Sequence, residues 1–379
     1  MKKKVLFCAS TLSHLRNFHL PYLKAFGEMG YEVWAAAPDV GKVPYAHTVV
    51  TLPMKKKLTS PQNLTAILAA RRLIRREGFS LLSTHTALAS GVARAALMGM
   101  KGRPLVVHTV HGYLFGEEDG MGRWPYLLPE MLLAPLTDVI MVMNREDERL
   151  CRKYRLARRE PVFIPGMGVD LERFHRNRSP EERCRLRERW GLSPEDFVFV
   201  CAAEFSPRKN QEALLRAFAK AAPEMPGAKL ILAGQGGLFQ RCRALAGELS
   251  LGKRVLFPGF VEDMPGLYAA CDCAVSASRR EGLPFHLMEA MASSLPAAAS
   301  DVKGHQELIS SGKNGLLFPL DNRKGCALAL RWLYTHRQEA VQMGRRGREM
   351  ARRYSLDQAF PKIMGVYEEA IRRWEGMGP

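Results

Sequence analysis

The sequence is short of several things, and each shortage removes a class of protein. Acid is the first. The 379 residues carry 56 Lys and Arg against 38 Asp and Glu, a net charge of +18. Such a balance points to a polyanion: nucleic acid, anionic lipid or a phosphorylated substrate. No nucleic-acid-binding motif accompanies the charge, so no nucleic acid is expected and a membrane surface ranks above it. The excess is uneven. Between Lys55 and Arg103 there are ten Lys or Arg and one acid, Glu77, and Arg345, Arg346, Arg348, Arg352 and Arg353 follow Arg337. A solvated helix face is the plainer reading of any single run.

Long apolar runs are also missing. None reaches the roughly 18 residues a spanning helix needs, and the run after Met1-Lys2-Lys3-Lys4 is too short for a signal peptide. Eight cysteines occur without paired spacing. Cys271-Asp272-Cys273 sits in an apolar, strand-like run and reads as buried core, because no second Cys/His pair has zinc spacing. Reduced thiols in the cytosol are the expectation.

Three chemical signatures are absent. The first strand-to-helix turn, Cys8 to Leu15, has no glycine, which argues against a nicotinamide or flavin dehydrogenase. No Gly-Lys-Ser/Thr P-loop occurs. Asp-X-Asp is missing, and Glu117-Glu118-Asp119 in a Gly-rich loop is the nearest approach. A diphosphate held through a carboxylate-bound metal is therefore not expected, and no metal ligand set is predicted.

What remains is a regular alternation of short apolar strands and amphipathic helices, the pattern of an α/β chain with parallel sheets covered on both faces. Strands are expected at Val5–Ala9, Glu32–Ala36, Leu81–Ser83, Leu105–Thr109, Val139–Val142 and Val162–Ile164, with helices such as Leu20–Met29, Leu64–Arg76, Ser90–Met98 and Asn144–Tyr154 between them. From Pro165 to Ser193 the chain turns polar and arginine-rich and reads as a linker. Strands resume at Phe197–Ala202, Lys229–Ala233, Val255–Phe257, Cys273–Ser276 and Ala297–Ala299. Two Rossmann-like domains, 1–168 and 169–354, facing a central cleft are the expected architecture, with ligands at the carboxyl ends of the strands.

The most informative segment is Arg280-Glu281-Gly282-Leu283-Pro284-Phe285-His286-Leu287-Met288-Glu289. In one continuous helix the two glutamates would be rotated about 80° apart. They fit better with Glu281 on a loop and Glu289 inside the following helix, with Pro284 in its first turn. A helix N-terminus attracts phosphate and carboxylates accept bonds from hydroxyls, a combination that suits a sugar nucleotide. Arg208-Lys209, after strand Phe197–Ala202, are placed to neutralise a diphosphate, with Lys209 opening a helix. His111-Gly112 and His85 end two strands of the first half. Gly304 opens a short helix and Asn314-Gly315 is a turn signal.

Together these segments, with Gly234-Gln235-Gly236 and Asn314-Gly315-Leu316-Leu317-Phe318, resemble the family 4 glycosyltransferases of the GT-B fold over nearly the whole chain. The opening through Phe18-His19-Leu20-Pro21-Tyr22 and the segment Asp301 to Ile309 resemble bacterial exopolysaccharide and capsule-assembly members. The resemblance implies retaining, metal-independent transfer of a hexose or N-acetylhexosamine from a nucleotide sugar, UDP favoured over GDP. The implied acceptor is a lipid-diphosphate-linked saccharide at the cytoplasmic face of the cell membrane. No cofactor beyond the co-substrate is implied.

By position, Glu281 would contact the donor sugar and Glu289 the ribose, with Gly282, Leu283 and Pro284 lining sugar and phosphate. Lys209, helped by Arg208, would stabilise the departing diphosphate. His111 would sit by the donor sugar, Gly234 in the donor site, and Gly259 and Phe260 at the nucleobase. His85 and His19 would lie on the acceptor side, and residues 355–379 would cross back onto the first domain. In front-face attack the departing phosphate takes the acceptor proton, so no protein base is assigned. Two departures stand out: Glu204 occupies the place where many members carry Arg, and Ser10 to Asn17 lacks the usual glycines. A sugar-nucleotide epimerase and a non-catalytic basic binding protein are the competing readings; the Glu-x7-Glu segment argues against the first, and the second leaves the cleft motifs unexplained.

Overall fold

A computed structural model of the protein describes residues 2–55, 60–174, 179–320 and 324–376. It divides into two compact units, Met1–Gly168 with Asp357–Pro379, and Val169–Leu356.

The first unit is built on seven parallel strands: β1 (Lys4–Cys8), β2 (Glu32–Ala37), β3 (Thr48–Thr51), β4 (Leu81–His85), β5 (Leu105–Val110), β6 (Val139–Val142) and β7 (Val162–Phe163), in the order β3-β2-β1-β4-β5-β6-β7. The helices between them are α1 (Leu12–Phe18), α2 (Leu20–Glu28), α3 (Gln62–Glu77), α4 (Ala87–Ala95), α5 (Trp124–Leu133) and α6 (Arg145–Tyr154). The second unit holds β8 (Phe197–Ala202), β9 (Ala228–Ala233), β10 (Val255–Gly259), β11 (Cys273–Ser276), β12 (Ala297–Ser300) and β13 (Gly315–Phe318), ordered β10-β9-β8-β11-β12-β13. Its helices are α7 (Pro180–Arg189), α8 (Gln211–Ala221), α9 (Phe239–Glu248), α10 (Met264–Ala270), α11 (Phe285–Ala292), α12 (Lys303–Leu308), α13 (Gly325–Thr335) and α14 (Arg337–Ala351). A last helix, α15 (Leu356–Gly376), lies from Asp357 onward in the first unit.

Both sheets share one topology. Each reverses direction of growth once, between β1 and β4 and between β8 and β11. In open α/β sheets the loops leaving the carboxyl ends at such a point splay apart and leave room for a ligand. Strand residues on both faces are buried, among them Val5, Leu6 and Phe7 in β1 and Val198, Phe199 and Val200 in β8, as expected for sheets covered on two sides.

The two units use a similar device at the amino ends of adjacent strands, β5 and β6 in the first and β8 and β11 in the second. Asp138, just ahead of β6, accepts the Val106 N–H at 2.9 Å and both guanidinium nitrogens of Arg103 at 2.6 and 2.8 Å. Asp272, just ahead of β11, accepts the Val198 N–H at 2.8 Å, Arg187 at 2.6 Å and Arg183 at 2.7 Å. Arg187 is buried, and its other bonds saturate the carbonyls of Ala270, Ser193, Pro194 and Asp196. Arg103 pairs with Asp138 through both nitrogens, which fixes geometry as well as charge, whereas Asp272 takes one bond from each of two arginines.

Several expectations need correction. The polar stretch Pro165–Ser193 is not simply a linker: α7 falls within it and docks through Arg183 and Arg187. Residues 175–178 of that stretch, and Lys56 and Lys57 of the basic run, lie outside the described residues. The run Lys55–Arg103 is not one surface patch either. Arg94 is fully buried against Glu130 at 2.8 Å, Arg103 is anchored on Asp138, and Arg71 caps the carbonyls of Ala96 and Met98. The strand expected to end at Ser83 continues to His85, so that histidine lies inside the sheet. The edge strands β3 and β13 were not expected. All eight cysteines are free, seven of them buried and Cys184 exposed.

Candidate functional site

In the second unit, the loops after β8 and β11 are stitched together. Arg279 N–H donates to Arg208 O at 2.8 Å, Asn210 Nδ2 to Ala277 O at 3.1 Å, and Arg208 Nη1 to Arg280 O at 3.2 Å. Asn210 caps α8 in the left-handed conformation (φ 56°), which asparagine tolerates better than most residues. The stitching brings both cations onto one carboxylate. Lys209 Nζ donates to Glu281 Oε1 at 2.5 Å and Arg208 Nη1 to Oε2 at 3.0 Å. Glu281 is buried; desolvation alone would raise its pKa, but Lys209 and Arg208 overcome that and hold it well below the usual range.

Lys209 therefore sits two residues ahead of α8 rather than opening it, and Pro284 occupies the N-cap position of α11 instead of its first turn. Glu281 lies on the loop and Glu289 in the helix. Glu281 is the carboxylate that holds Lys209, and the Glu204 carbonyl accepts Gln211 Nε2 at 2.9 Å. Gly282, Leu283 and Pro284 are buried between Glu281 and α11.

Two histidines join this group. His286 and His305 are buried, burial holds both below the ordinary imidazole range, and the Nε2 atom of each has no partner among the described residues. His305 Nδ1 lies 2.7 Å from Ser300 O, so its proton is on Nδ1 and its Nε2 offers a lone pair. His305 was not singled out from the sequence. Its neighbour explains why it is close: a Cβ on Gly304 would fall 2.6 Å from Gly282 O and 2.8 Å from Glu281 Cβ. Gly304 thus lets α12 lie against the Glu281 loop.

Glu289 behaves in the opposite sense to Glu281. Burial pushes its carboxyl up to about 7, against the opposing pull of the Tyr268 hydroxyl at 3.2 Å and of Arg173. Phe260 is largely exposed after Gly259, whose backbone has φ 76°. Gly234 is required by packing: at φ 137°, a Cβ there would meet Ala203 O at 2.1 Å.

In the first unit, α1 with its C-cap, the end of β4 and the loop after β5 bring four imidazoles together. His14 Nε2 and His111 Nε2 are 3.3 Å apart, His111 Nε2 and His85 Nδ1 3.3 Å, and the rings of His19 and His85 have centroids 3.8 Å apart. Burial lowers His14 to about 4 and the other three well below the ordinary value, so all four are neutral at physiological pH. One proton order runs from Tyr367 OH to Ser83 Oγ (2.6 Å), from Ser83 to His85 Nε2 (2.9 Å) and from His85 Nδ1 to His111 Nε2; that nitrogen has one lone pair, so its 3.3 Å contact with His14 Nε2 is not a second full hydrogen bond. Thr86 locks the arrangement. It has φ 65°, an uncommon conformation for a β-branched residue, and its Oγ1 accepts the Ser10 N–H at 3.1 Å and meets Ser10 Oγ at 2.6 Å. His14 was missed from the sequence, because nothing local distinguishes it; the Ser10–Thr86 tie, of long sequence separation, holds the start of α1 beside the end of β4.

Helix α5 is apolar on both its buried and its exposed side. Leu127, Glu130 and Leu133 face inward, with Glu130 on Arg94, while Trp124, Leu128, Met131 and Leu132 are exposed. Leu114, Met121 and Tyr126 are exposed in the same segment. No described helix is long and apolar enough to cross a membrane.

Comparison with known proteins adds the following. Residues 182–350 match the family described as glycosyl transferases group 1, and residues 22–173 that described as glycosyltransferase family 4. EpsD of Bacillus subtilis (strain 168), named as a glycosyltransferase, is 34% identical over 369 residues, covering 97% of each chain. An Escherichia coli UDP-Gal:alpha-D-GlcNAc-diphosphoundecaprenol alpha-1,3-galactosyltransferase is 27% identical over 271 residues, 69% of this chain and 68% of its own length. Among solved structures, Anabaena Alr3699/HepE in complex with UDP and glucose superposes with a TM-score of 0.79 at 19% identity, covering 97% of this chain and all of that one.

Proposed function

The chain belongs to the family 4 glycosyltransferases of the GT-B fold, and from that premise we propose that it is a retaining enzyme of cell-surface polysaccharide assembly. It moves a hexose or N-acetylhexosamine from a UDP-sugar to a lipid-diphosphate-linked saccharide. The observation that carries this reading is the convergence of Lys209 and Arg208 on Glu281 at the switch point of the second sheet.

That constellation suits a departing nucleoside diphosphate. Lys209 uses one of its three donors on Glu281, and Arg208 keeps donors beyond its two bonds to Glu281 and Arg280. Charge that grows on the leaving phosphate in the transition state is met by cations already fixed in place, which lowers the barrier without reorganisation. Their positive charge makes a metal unnecessary for this step. Glu281, kept ionised, is a hydrogen-bond acceptor for donor-sugar hydroxyls, and Gly282 to Pro284 line the sugar and phosphate. Glu289 takes the ribose, Gly234 borders the donor, and Gly259 with the exposed ring of Phe260 borders the base. His111 is the imidazole assigned to the donor sugar; His85 and His19, both fully buried, can act on the acceptor side only by holding the His14 and His111 rings in place. No side chain is assigned as general base: the departing phosphate oxygen accepts the acceptor hydroxyl proton on the face it leaves.

EpsD supports glycosyl transfer by its extent of similarity, and the E. coli enzyme supports the acceptor class by its lipid-diphosphate-linked sugar. The outward apolar stripe of α5 supports peripheral attachment to the cytoplasmic membrane face, where such an acceptor resides. Trp124 and Tyr126 have the amphipathic rings favoured at membrane interfaces.

The test is a panel of UDP- and GDP-sugars with a short lipid-diphosphate-GlcNAc acceptor, read by product mass and by the anomeric configuration of the new linkage, with and without EDTA. A hexose or N-acetylhexosamine adduct of retained configuration that forms in EDTA is expected. Inverted configuration, or loss of transfer in EDTA, overturns the mechanism, and no adduct from any donor overturns the substrate class.

A further inference from the structure

We propose that the histidine cluster of the first unit is a binding site for a divalent transition-metal ion of the zinc class, with His14, His19 and His111 as ligands. One nitrogen from each of these rings can be chosen so that all three lie within 4.8 Å of one another. Zinc binds imidazole nitrogen at about 2.0–2.1 Å, so two such ligands at a tetrahedral angle are about 3.3–3.4 Å apart. His14 Nε2 and His111 Nε2 stand at 3.3 Å.

His19 is the independent observation. It is fully buried, and neither Nδ1 nor Nε2 has a hydrogen-bond partner among the described residues. A buried imidazole with no partner loses its hydration for nothing in return; a metal ion would satisfy one nitrogen directly. It stands beside the other donors, with ring centroids 5.2 Å from His14 and 5.5 Å from His111. His14 and His111 are only half-buried, so the site has a route to solvent. His85 Nδ1 is also 3.3 Å from His111 Nε2, the nitrogen that would bind the ion, so coordination replaces that contact, while Ser83 keeps the His85 ring in place.

The donor set selects the ion. All three ligands are imidazole nitrogens, which suit zinc, copper, nickel and cobalt; magnesium, calcium and manganese prefer oxygen. Each ring binds as neutral imidazole through a lone pair, with its remaining proton on the other nitrogen, so no oxidant or base is involved. The ion is distinct from diphosphate activation, which the cations of the second unit supply. Its consequence for transfer rests on the role given to His111: with that nitrogen coordinated, the sugar contact is lost and transfer is inhibited.

The test reads binding directly and does not depend on activity. Full-length protein stripped with chelator is titrated with Zn²⁺ in equilibrium dialysis and with Co²⁺ under visible spectroscopy, where tetrahedral cobalt absorbs far more strongly than the aquo ion. One equivalent bound, with the intense cobalt band, is expected. His14→Asn, at a half-buried position that spares the core, should weaken binding at least about tenfold, as should His19→Gln; His336→Asn, at an exposed site elsewhere, should not. Far-UV circular dichroism establishes that each variant is folded. Absence of stoichiometric binding, or binding equally tight in His14→Asn, overturns the site. Bound metal without inhibition of transfer overturns only the consequence drawn through His111.

Discussion

Glu281 and Lys209 form a contact of 2.5 Å in which both side chains are largely withdrawn from water, 5% and 11% exposed. Breaking such a pair by removing one partner leaves a buried charge alone, at a cost of about 3–5 kcal/mol. Glu281→Gln should therefore do two things at once. It should lower the melting temperature of the second unit by roughly 6–15 °C, and it should reduce transfer about a hundredfold or more. Adding Lys209→Met to Glu281→Gln removes the stranded cation, so the double variant should melt above the single one while remaining inactive. If the double variant melts lower still, the pair is not coupled as the geometry states.

The two glutamates eight positions apart should respond to pH with opposite sign. Glu281 is held below its ordinary value, so its contribution to stability is present above about pH 4.5 and is lost only as pH falls further. Glu289 is raised to about 7. The folded protein then holds a proton that the unfolded chain has already released, and stability falls as pH rises from about 4.5 to about 7. Glu289→Gln should flatten that fall by on the order of 2–3 kcal/mol, measured by urea titration across the range. In the same window the apparent KM for donor should decrease with rising pH, because only the carboxylate accepts both ribose hydroxyls; a pH-independent KM would remove Glu289 from the donor.

These opposite environments mark where sequence reading stops. That Glu281 lies on a loop and Glu289 in a helix follows from the Gly-Leu-Pro between them, and the alternation of strands and helices is legible because it depends on local burial. The edge strands β3 and β13 are not legible for the same reason. They are four residues long and only partly buried, and Asn314-Gly315 resembles a turn. Gly315 is instead a strand residue kept small by Ala297 O, 2.4 Å from where its Cβ would sit. His14 and His305 join their sites through contacts of long sequence separation, Ser10 with Thr86 and Gly304 with Gly282, which no local pattern encodes. The basic excess misleads as a patch because many of its arginines serve backbone carbonyls: Arg254 alone caps Ala222, Met225 and Ala228.

Glycines near the donor side separate by the same logic. Gly234→Ala would place a methyl 2.1 Å from Ala203 O at φ 137°, and no flexible side chain can yield, since the obstacle is backbone. Strain of this kind costs about 1–3 kcal/mol from the dihedral alone, and the steric overlap adds to it. Gly237, three residues on, has nothing within 4 Å of its added Cβ, and Gly237→Ala should leave melting within about 1 °C. Equal melting temperatures for the two variants would show that the β9–α9 loop does not need its close approach to Ala203.

Helix α5 provides the test of membrane attachment. Its buried side is polar at Glu130, which holds the fully buried Arg94, and its exposed side is apolar at Trp124, Leu128, Met131 and Leu132. A soluble helix has no reason to expose an i, i+4, i+7, i+8 apolar stripe unless something covers it. Leu128→Glu with Leu132→Glu adds two negative charges to that stripe without touching the core. It should reduce co-sedimentation with vesicles rich in anionic lipid at least about tenfold, from the lost burial of two leucines and the added repulsion, with melting unchanged. Glu130→Ala should do the reverse: it strands Arg94 and lowers melting, yet leaves the stripe intact, so whatever protein remains folded should still sediment. Undiminished vesicle binding by the double glutamate variant would place the membrane contact, if there is one, on another face of the molecule.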